Sequence, residues 1–252
     1  MDTSKRVVIT GASRGIGRAL ARAFASRGHA LVLAARSLPE LQQIAAELPG
    51  TQIVACDLGT VEGRDALAAA VPGPIAGLVN NAGFGTAGEF AGLDRARERA
   101  LVRLNCEAVV DLSHAFLPQL GPGSFIMNLA STASFQPVPL LATYAASKAF
   151  VLSLSEALAD ELSPRGVHVL ALCPGVTESG FQKEADVALP PGSPSAEQVA
   201  AWALRALERK QRVAVHGLRN SLLAFGNRFA PRRVTVAMAR KVMEPWFRDR
   251  KP

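Results

Sequence analysis

Short runs of β-branched and apolar residues alternate along this chain with longer stretches in which apolar positions recur at helical spacing. That is the arrangement of repeated β-α-β units building a parallel sheet. The apolar runs predict strands at residues 6–10, 30–34, 52–56, 77–80, 124–129 and 167–173, with a weaker one at 212–215. Helical periodicity falls at about 15–27, 38–48, 60–70, 94–118, 142–163 and 196–209. Gly28, Pro49-Gly50, Pro118 with Gly121, and Pro164 with Gly166 follow helical stretches, where stop signals belong. The expected fold class is α/β, a doubly wound parallel sheet of about seven strands with helices on both faces.

At 252 residues, with 49% apolar residues, the chain is long enough to bury a core on both faces of such a sheet. A single domain over 1–252 is expected, since there is no internal repeat or linker. The Pro/Gly/Ser-rich stretch 189–195 reads as part of a lid over 181–195. No apolar run reaches eighteen residues, and the opening MDTSKRVVIT enters a strand pattern too soon for a signal peptide. A cytoplasmic protein is expected. Cys56, Cys106 and Cys173 are odd in number and widely spaced, so neither a disulfide framework nor a zinc site is indicated.

Charge changes the picture only at one end. From Arg205 onward there are thirteen Lys or Arg against three acids, a balance of +10; with a total of +7, residues 1–204 carry −3. Within this tail, residues 219–252 intersperse Leu222, Leu223, Phe225, Phe229, Val234, Met238, Val242, Trp246 and Phe247 with arginines. The pattern reads as one or two amphipathic helices broken near Pro231. It is compatible with a subunit interface or lid extension, a helix on a membrane surface, or a disordered basic end. No nucleic-acid partner is expected.

After the first strand comes Thr10-Gly11-Ala12-Ser13-Arg14-Gly15-Ile16-Gly17, at the mouth of the first helix. Glycines at 11, 15 and 17 permit a tight turn and close approach of backbone to a pyrophosphate, which the helix N-terminus attracts. The spacing is GxxxGxG, not the commoner GxGxxG. An acid that would hold a ribose 2′-hydroxyl is missing after the second strand, where Ala35-Arg36 stands. Arg14 and Arg36 instead suit a 2′-phosphate, so NADP(H) is the expected cofactor.

Tyr144 and Lys148 are spaced i, i+4 at the start of a helix, which puts phenol and ammonium on one face. A nearby cation, with the positive nicotinamide, would lower the phenol pKa from ~10 toward ~7 and make it an acid or base. Tyr144 is the one tyrosine of the chain.

TGASRGIG at 10–17, Asp57-Leu58, Asn80-Asn81-Ala82-Gly83, Asn105, Ser131, Tyr144 with Lys148, and Pro174-Gly175 occur here in an order and spacing that resembles the short-chain dehydrogenase/reductase family. The resemblance covers about residues 5–180 and implies a Rossmann fold, a nicotinamide cofactor and commonly a homodimer or homotetramer. It implies that Tyr144 protonates a substrate carbonyl that Ser131 positions. Lys148 would bind the nicotinamide ribose, and Asn105 would hold a water relaying protons to Lys148. Asp57 and Leu58 would meet the adenine, and Asn81, Ala82 and Gly83 the adenosine ribose. Ser13, Arg14 and Ile16 belong to the phosphate loop. Pro174, Gly175, Val176, Thr177 and Ser179 would wrap the nicotinamide; Ser179 stands where the family has a second threonine.

The four histidines show neither metal-ligand spacing nor a partner nucleophile, and no GxSxG elbow is present, so metal sites and serine hydrolysis are not indicated. The expected reaction is hydride transfer between NADP(H) and an apolar ketone, aldehyde or secondary alcohol. Phe84, Phe135 and Val138 are candidate pocket walls. The alternative function is a non-catalytic NADP(H)-binding sensor or scaffold, against which the complete Ser131, Tyr144, Lys148 and Asn105 set speaks. A sugar-nucleotide epimerase would carry a different glycine spacing and a longer C-terminal domain.

Overall fold

Strand β1 (Arg6–Thr10) is RVVIT, buried at all but its first position, because it lies at the centre of a sheet covered on both faces. The computed structural model describes residues 5–181, 185, 189–227 and 229–244. Around β1 lie β2 (Leu31–Ala35), β3 (Gln52–Ala55), β4 (Ile75–Asn80), β5 (Phe125–Leu129), β6 (His168–Cys173) and β7 (Val213–Val215). All pair in parallel in the order β3-β2-β1-β4-β5-β6-β7. The chain therefore winds outward in one direction from β1 and in the other from β4. The crevice at their carboxyl ends is the switch point where such sheets bind ligands.

Helices α1 (Gly15–Ala25), α2 (Leu38–Glu47) and α7 (Ala196–Glu208) pack on one face around Phe24, Leu41 and Val199. Helices α3 (Val61–Ala69), α5 (Ala108–Phe116) and α6 (Ala142–Glu161) cover the other around Leu67, Phe116 and Ala159. The seven expected strands are all present, within two residues of their predicted bounds.

The helix expected over 94–118 is not continuous. It runs as α4 (Arg95–Val102), a π-helical turn at Arg103–Glu107 that carries Asn105, and α5. A π turn inserts one residue and re-aims its neighbours, and such turns recur at functional sites. A buried polar ladder fixes the ends of β4 and β5: Asn80 Nδ2 donates to Asn128 Oδ1 (2.9 Å) and to Ser113 (3.1 Å), and Asn128 Nδ2 donates to Ser155 (2.9 Å). These bonds set the register beneath the crevice.

The basic tail is ordered where it is described. It forms α8 (Leu218–Gly226) and α9 (Arg232–Met243), with Pro231 at the break, so the expected division there holds. Trp246 and Phe247 lie outside the described residues, as do 182–184 and 186–188 of the expected lid. No described helix is long and apolar enough to cross a membrane.

Candidate active site

A cavity of about 850 Å³ opens at the carboxyl end of the sheet, between the loops after β1, β2, β3, β4, β5 and β6. Every residue expected to bind cofactor or take part in catalysis lines it except two, Gly17 and Asn105.

Its inner floor is backbone. Gly11 and Gly15 hold φ of +64° and +54°, in the left-handed region that glycine occupies without strain. A Cβ on Gly15 would come within 2.4 Å of the Ser179 carbonyl oxygen, and one on Gly17 within 2.3 Å of that of Gly11. Arg14 caps α1 in extended backbone with no side-chain cap bond, so the first N–H groups of the helix face the loop. Asn81 has a task the sequence did not disclose: its Nδ2 donates to the carbonyls of Thr10 (2.8 Å) and Gly11 (3.1 Å). Thr10 Oγ1 in turn accepts the N–H groups of Asn81 and Ala82, both at 3.0 Å. The glycine loop is thus tied to the end of β4.

At one end of the cavity, exposed Arg14 and Arg36 stand with Ser37 and Glu40. Ser37 was missed in the sequence, although Ser37-Leu38-Pro39-Glu40 has the spacing of a helix cap. Its hydroxyl accepts the Glu40 N–H at 3.5 Å at the start of α2. Asp57 lines the same end, with one carboxylate oxygen accepting Gly59 N–H at 2.9 Å, and Leu58 is buried beside it.

Farther along the cavity Ser131, Tyr144 and Lys148 converge. Ser131 is both a cap and a site residue: its hydroxyl oxygen accepts the Ala133 N–H at 3.1 Å, and its own N–H donates to Ser134 Oγ at 3.2 Å. Lys148 is buried on α6, donates from Nζ to the Leu129 carbonyl at 2.7 Å, and lies 5.8 Å from the centre of the Tyr144 ring. Desolvation pushes Lys148 down to about 8 and Tyr144 up to about 12; a hydrogen bond with Ser131 opposes the second shift. The expected lowering of the Tyr144 pKa is therefore not supplied by the protein's own groups, among which burial wins.

Asn105 is 1% exposed and makes three side-chain hydrogen bonds. Its Oδ1 accepts Phe84 N–H (3.1 Å), and its Nδ2 donates to the Phe84 carbonyl and to Ser147 Oγ, both at 3.0 Å. Both amide N–H groups are used, so the side chain fixes the loop after β4.

Thr177 is buried and donates to the Gly175 carbonyl at 3.0 Å, while Pro174, Val176 and Ser179 line the cavity around it.

Of the expected pocket walls, Phe84 and Val138 line the cavity. Phe135 does not; it packs beside Val151 and Leu152, because the 3₁₀ turn Thr132–Phe135 directs it toward α6. Phe181 lies over Tyr144, with ring centres 5.0 Å apart. The remaining wall is the tail: Leu223 of α8, Asn227 just after it, and Met238, Val242 and Met243 of α9 line the cavity. Asn227 Nδ2 donates to Gln136 Oε1 at 2.7 Å, joining the end of α8 to the loop after Ser131. No local motif marks these residues as site residues; only the chain's return across the crevice does. Among the described residues no group of His, Cys, Asp or Glu is placed to hold a metal.

The family model of the short chain dehydrogenases matches residues 5–189. Sulfoacetaldehyde reductase of Chromohalobacter salexigens is 39% identical over 185 residues, 69% of this chain and 73% of that protein. A short-chain dehydrogenase from Sphingobium yanoikuyae, solved in complex with NADPH, superposes with a TM-score of 0.80 at 30% identity over 98% of both chains. The bulky-bulky ketone specific alcohol dehydrogenase from Comamonas testosteroni superposes at 0.75 and 27% identity, over 100% of this chain and 98% of that one.

Proposed function

Because the chain belongs to the short-chain dehydrogenase family and is an oxidoreductase working between a carbonyl and an alcohol, we propose that it is an NADP(H)-dependent carbonyl reductase. Its substrates are apolar ketones or aldehydes, and the corresponding secondary alcohols in the reverse direction. One domain spanning 1–252 carries both halves of the site.

The observation that carries this reading is the composition of one cavity. A glycine cradle and two guanidiniums occupy one end, Ser131, Tyr144 and Lys148 the middle, and an apolar roof the other end. The cradle suits a dinucleotide because side chains at Gly11, Gly15 and Gly17 would strike backbone. Arg14 and Arg36 favour a 2′-phosphate, and the likeness to a protein solved with NADPH supports that choice.

The nicotinamide, when bound, supplies or accepts the hydride. Ser131, whose oxygen already accepts a backbone N–H, turns its own O–H to the substrate oxygen and holds it beside the phenol. Tyr144 transfers its proton to that oxygen in reduction and takes it back in oxidation. Lys148 spends one N–H on Leu129 and keeps two for the ribose hydroxyls. Asn105 is a positioning residue, fixing the Phe84 backbone and Ser147.

Substrate class follows from the roof. The cationic residues among the described lining are Arg14, Arg36 and Lys148, all committed to the cofactor end or the catalytic group. A sulfonate such as the Chromohalobacter relative's substrate has no partner among them, and that likeness covers 69% of this chain. The likeness to the Comamonas bulky-ketone enzyme spans the whole chain, roof included. Val102, Val110 and Phe150, exposed on α4, α5 and α6, support assembly as a homodimer or homotetramer through that side.

The test is NADPH consumption across a panel of small charged, small neutral and bulky apolar carbonyls, with NADH in parallel. Turnover confined to apolar carbonyls with NADPH is expected. Preference for a sulfonated or carboxylated aldehyde, or for NADH, contradicts the reading.

A further inference from the structure

The roof helices have a second face. On α8 and just beyond it, Leu218, Leu222, Phe225 and Phe229 recur at spacings of four, three and four and are 78, 64, 61 and 75% exposed. The rings of Phe225 and Phe229 meet edge to face at 5.2 Å, so the stripe is continuous. None of the four lines the cavity. Beside them, Leu223 on α8 and Met238 and Val242 on α9 line the cavity and yet are more than half exposed, so its apolar mouth opens on this same side. Arg219, Arg232, Arg233, Arg240 and Lys241 flank the apolar residues, against a single described acid on these helices, Glu244, which pairs with Arg240 at 3.4 Å.

We infer that the outer faces of α8 and α9 form a surface that docks on an anionic lipid bilayer, lying in the plane of the headgroups. Large apolar residues left in water at this density mark an interaction surface. The charge selects the occupant. An apolar stripe bordered by arginines is the pattern of a helix that buries its apolar side at the acyl boundary and pairs its cations with lipid phosphates. A second copy of the chain is disfavoured, since a two-fold contact through this face would bring together two surfaces that each carry five described cations against one acid. A helical partner is disfavoured too, because α8 has nine residues, far fewer than a coiled-coil seam needs. No described helix is long and apolar enough to cross a membrane. In consequence the cavity mouth faces lipid, which delivers apolar substrates to it; this last clause rests on the apolar-carbonyl reading, whereas the docking does not.

Flotation of the full-length protein with vesicles tests the docking without any turnover. With vesicles of equal phosphatidylcholine and phosphatidylglycerol the protein floats, and raising salt releases it; with phosphatidylcholine alone it stays in solution. Phe225→Glu combined with Phe229→Glu, and separately Arg232→Glu with Arg233→Glu, each lower partition at least about ten-fold. These side chains are exposed, so NADPH binding and melting temperature stay unchanged and report intact folding. Absence of binding to the anionic vesicles, equal binding to both compositions, or binding untouched by both pairs of substitutions overturns the inference. So does a stable dimer that the Phe225→Glu, Phe229→Glu protein cannot form.

Discussion

Lys148 holds its ammonium 2.7 Å from the carbonyl oxygen of Leu129, inside a wall where it is 5% exposed. One carbonyl does not replace the water such a charge gives up, and burial pulls its pKa down to about 8. Below pH 8 the folded and unfolded chains are both protonated at this position, and the folded chain bears the full cost of a buried charge. Between about pH 8 and 10.5 the folded chain releases a proton that the unfolded chain keeps, so stability rises with pH across that window. Lys148→Met should therefore raise the melting temperature at neutral pH by about 2–4 °C and abolish turnover. It should also remove the rise in stability above pH 8. Calorimetry of both proteins from neutral to alkaline pH checks all three, and a lower melting temperature in the variant at neutral pH contradicts the account.

Gly15 meets the Ser179 carbonyl across the phosphate loop at a distance no side chain fits, and its φ is positive. Gly15→Ala must shift either the loop or the segment after β6. An expected cost of about 1–2 kcal/mol in the bound geometry corresponds to about a five- to thirty-fold loss of NADPH affinity. Cofactor fluorescence titration measures it, and unchanged affinity rules out the loop as the pyrophosphate cradle.

Arg36 follows the last residue of β2 and, like Arg14, is exposed and lines the cavity. Arg36→Ala should raise KM for NADPH about ten-fold and leave that for NADH within a factor of two. The double variant with Arg14→Ala should narrow the preference further. Equal losses for both cofactors would assign the arginines to the shared pyrophosphate and not to the 2′-phosphate.

Gly85 lies beneath two rings: a Cβ there would approach Phe181 to 2.5 Å and Tyr144 to 3.2 Å. Gly85→Ala should displace Phe181 from its place over the phenol, lowering kcat/KM for apolar ketones about five- to ten-fold while leaving NADPH affinity intact. A variant with wild-type kinetics would show that the Phe181 contact does not shape the catalytic pocket.

The strands, the glycine turn and the Tyr144–Lys148 pair were readable in the sequence because each is a local pattern: alternation of apolar runs, glycine at a strand-to-helix junction, two residues one helical turn apart. The tasks of Asn81 and Asn105 were not, because both depend on backbone groups brought from elsewhere, the carbonyls of Thr10 and Gly11 in one case and the Phe84 backbone in the other. Phe135 misled for a related reason, since the direction of a side chain in a 3₁₀ turn is not encoded in its distance from Ser131. The break in the long helix at Arg103–Glu107 left no punctuating Gly or Pro, and the stretch reads as unbroken periodicity. The roof of the cavity was legible as amphipathic helix but not as roof, because its packing on Gln136 and above Tyr144 spans about ninety residues of chain.

The central claim is that Tyr144 delivers the proton while the rest of the site binds and positions. A single-turnover measurement with the NADPH-loaded protein and its best apolar ketone, comparing wild type with Tyr144→Phe, isolates that step. The account predicts a rate of cofactor oxidation reduced at least about thousand-fold in Tyr144→Phe, with NADPH affinity and melting temperature unchanged. A Tyr144→Phe protein that oxidises NADPH at the wild-type rate would contradict it.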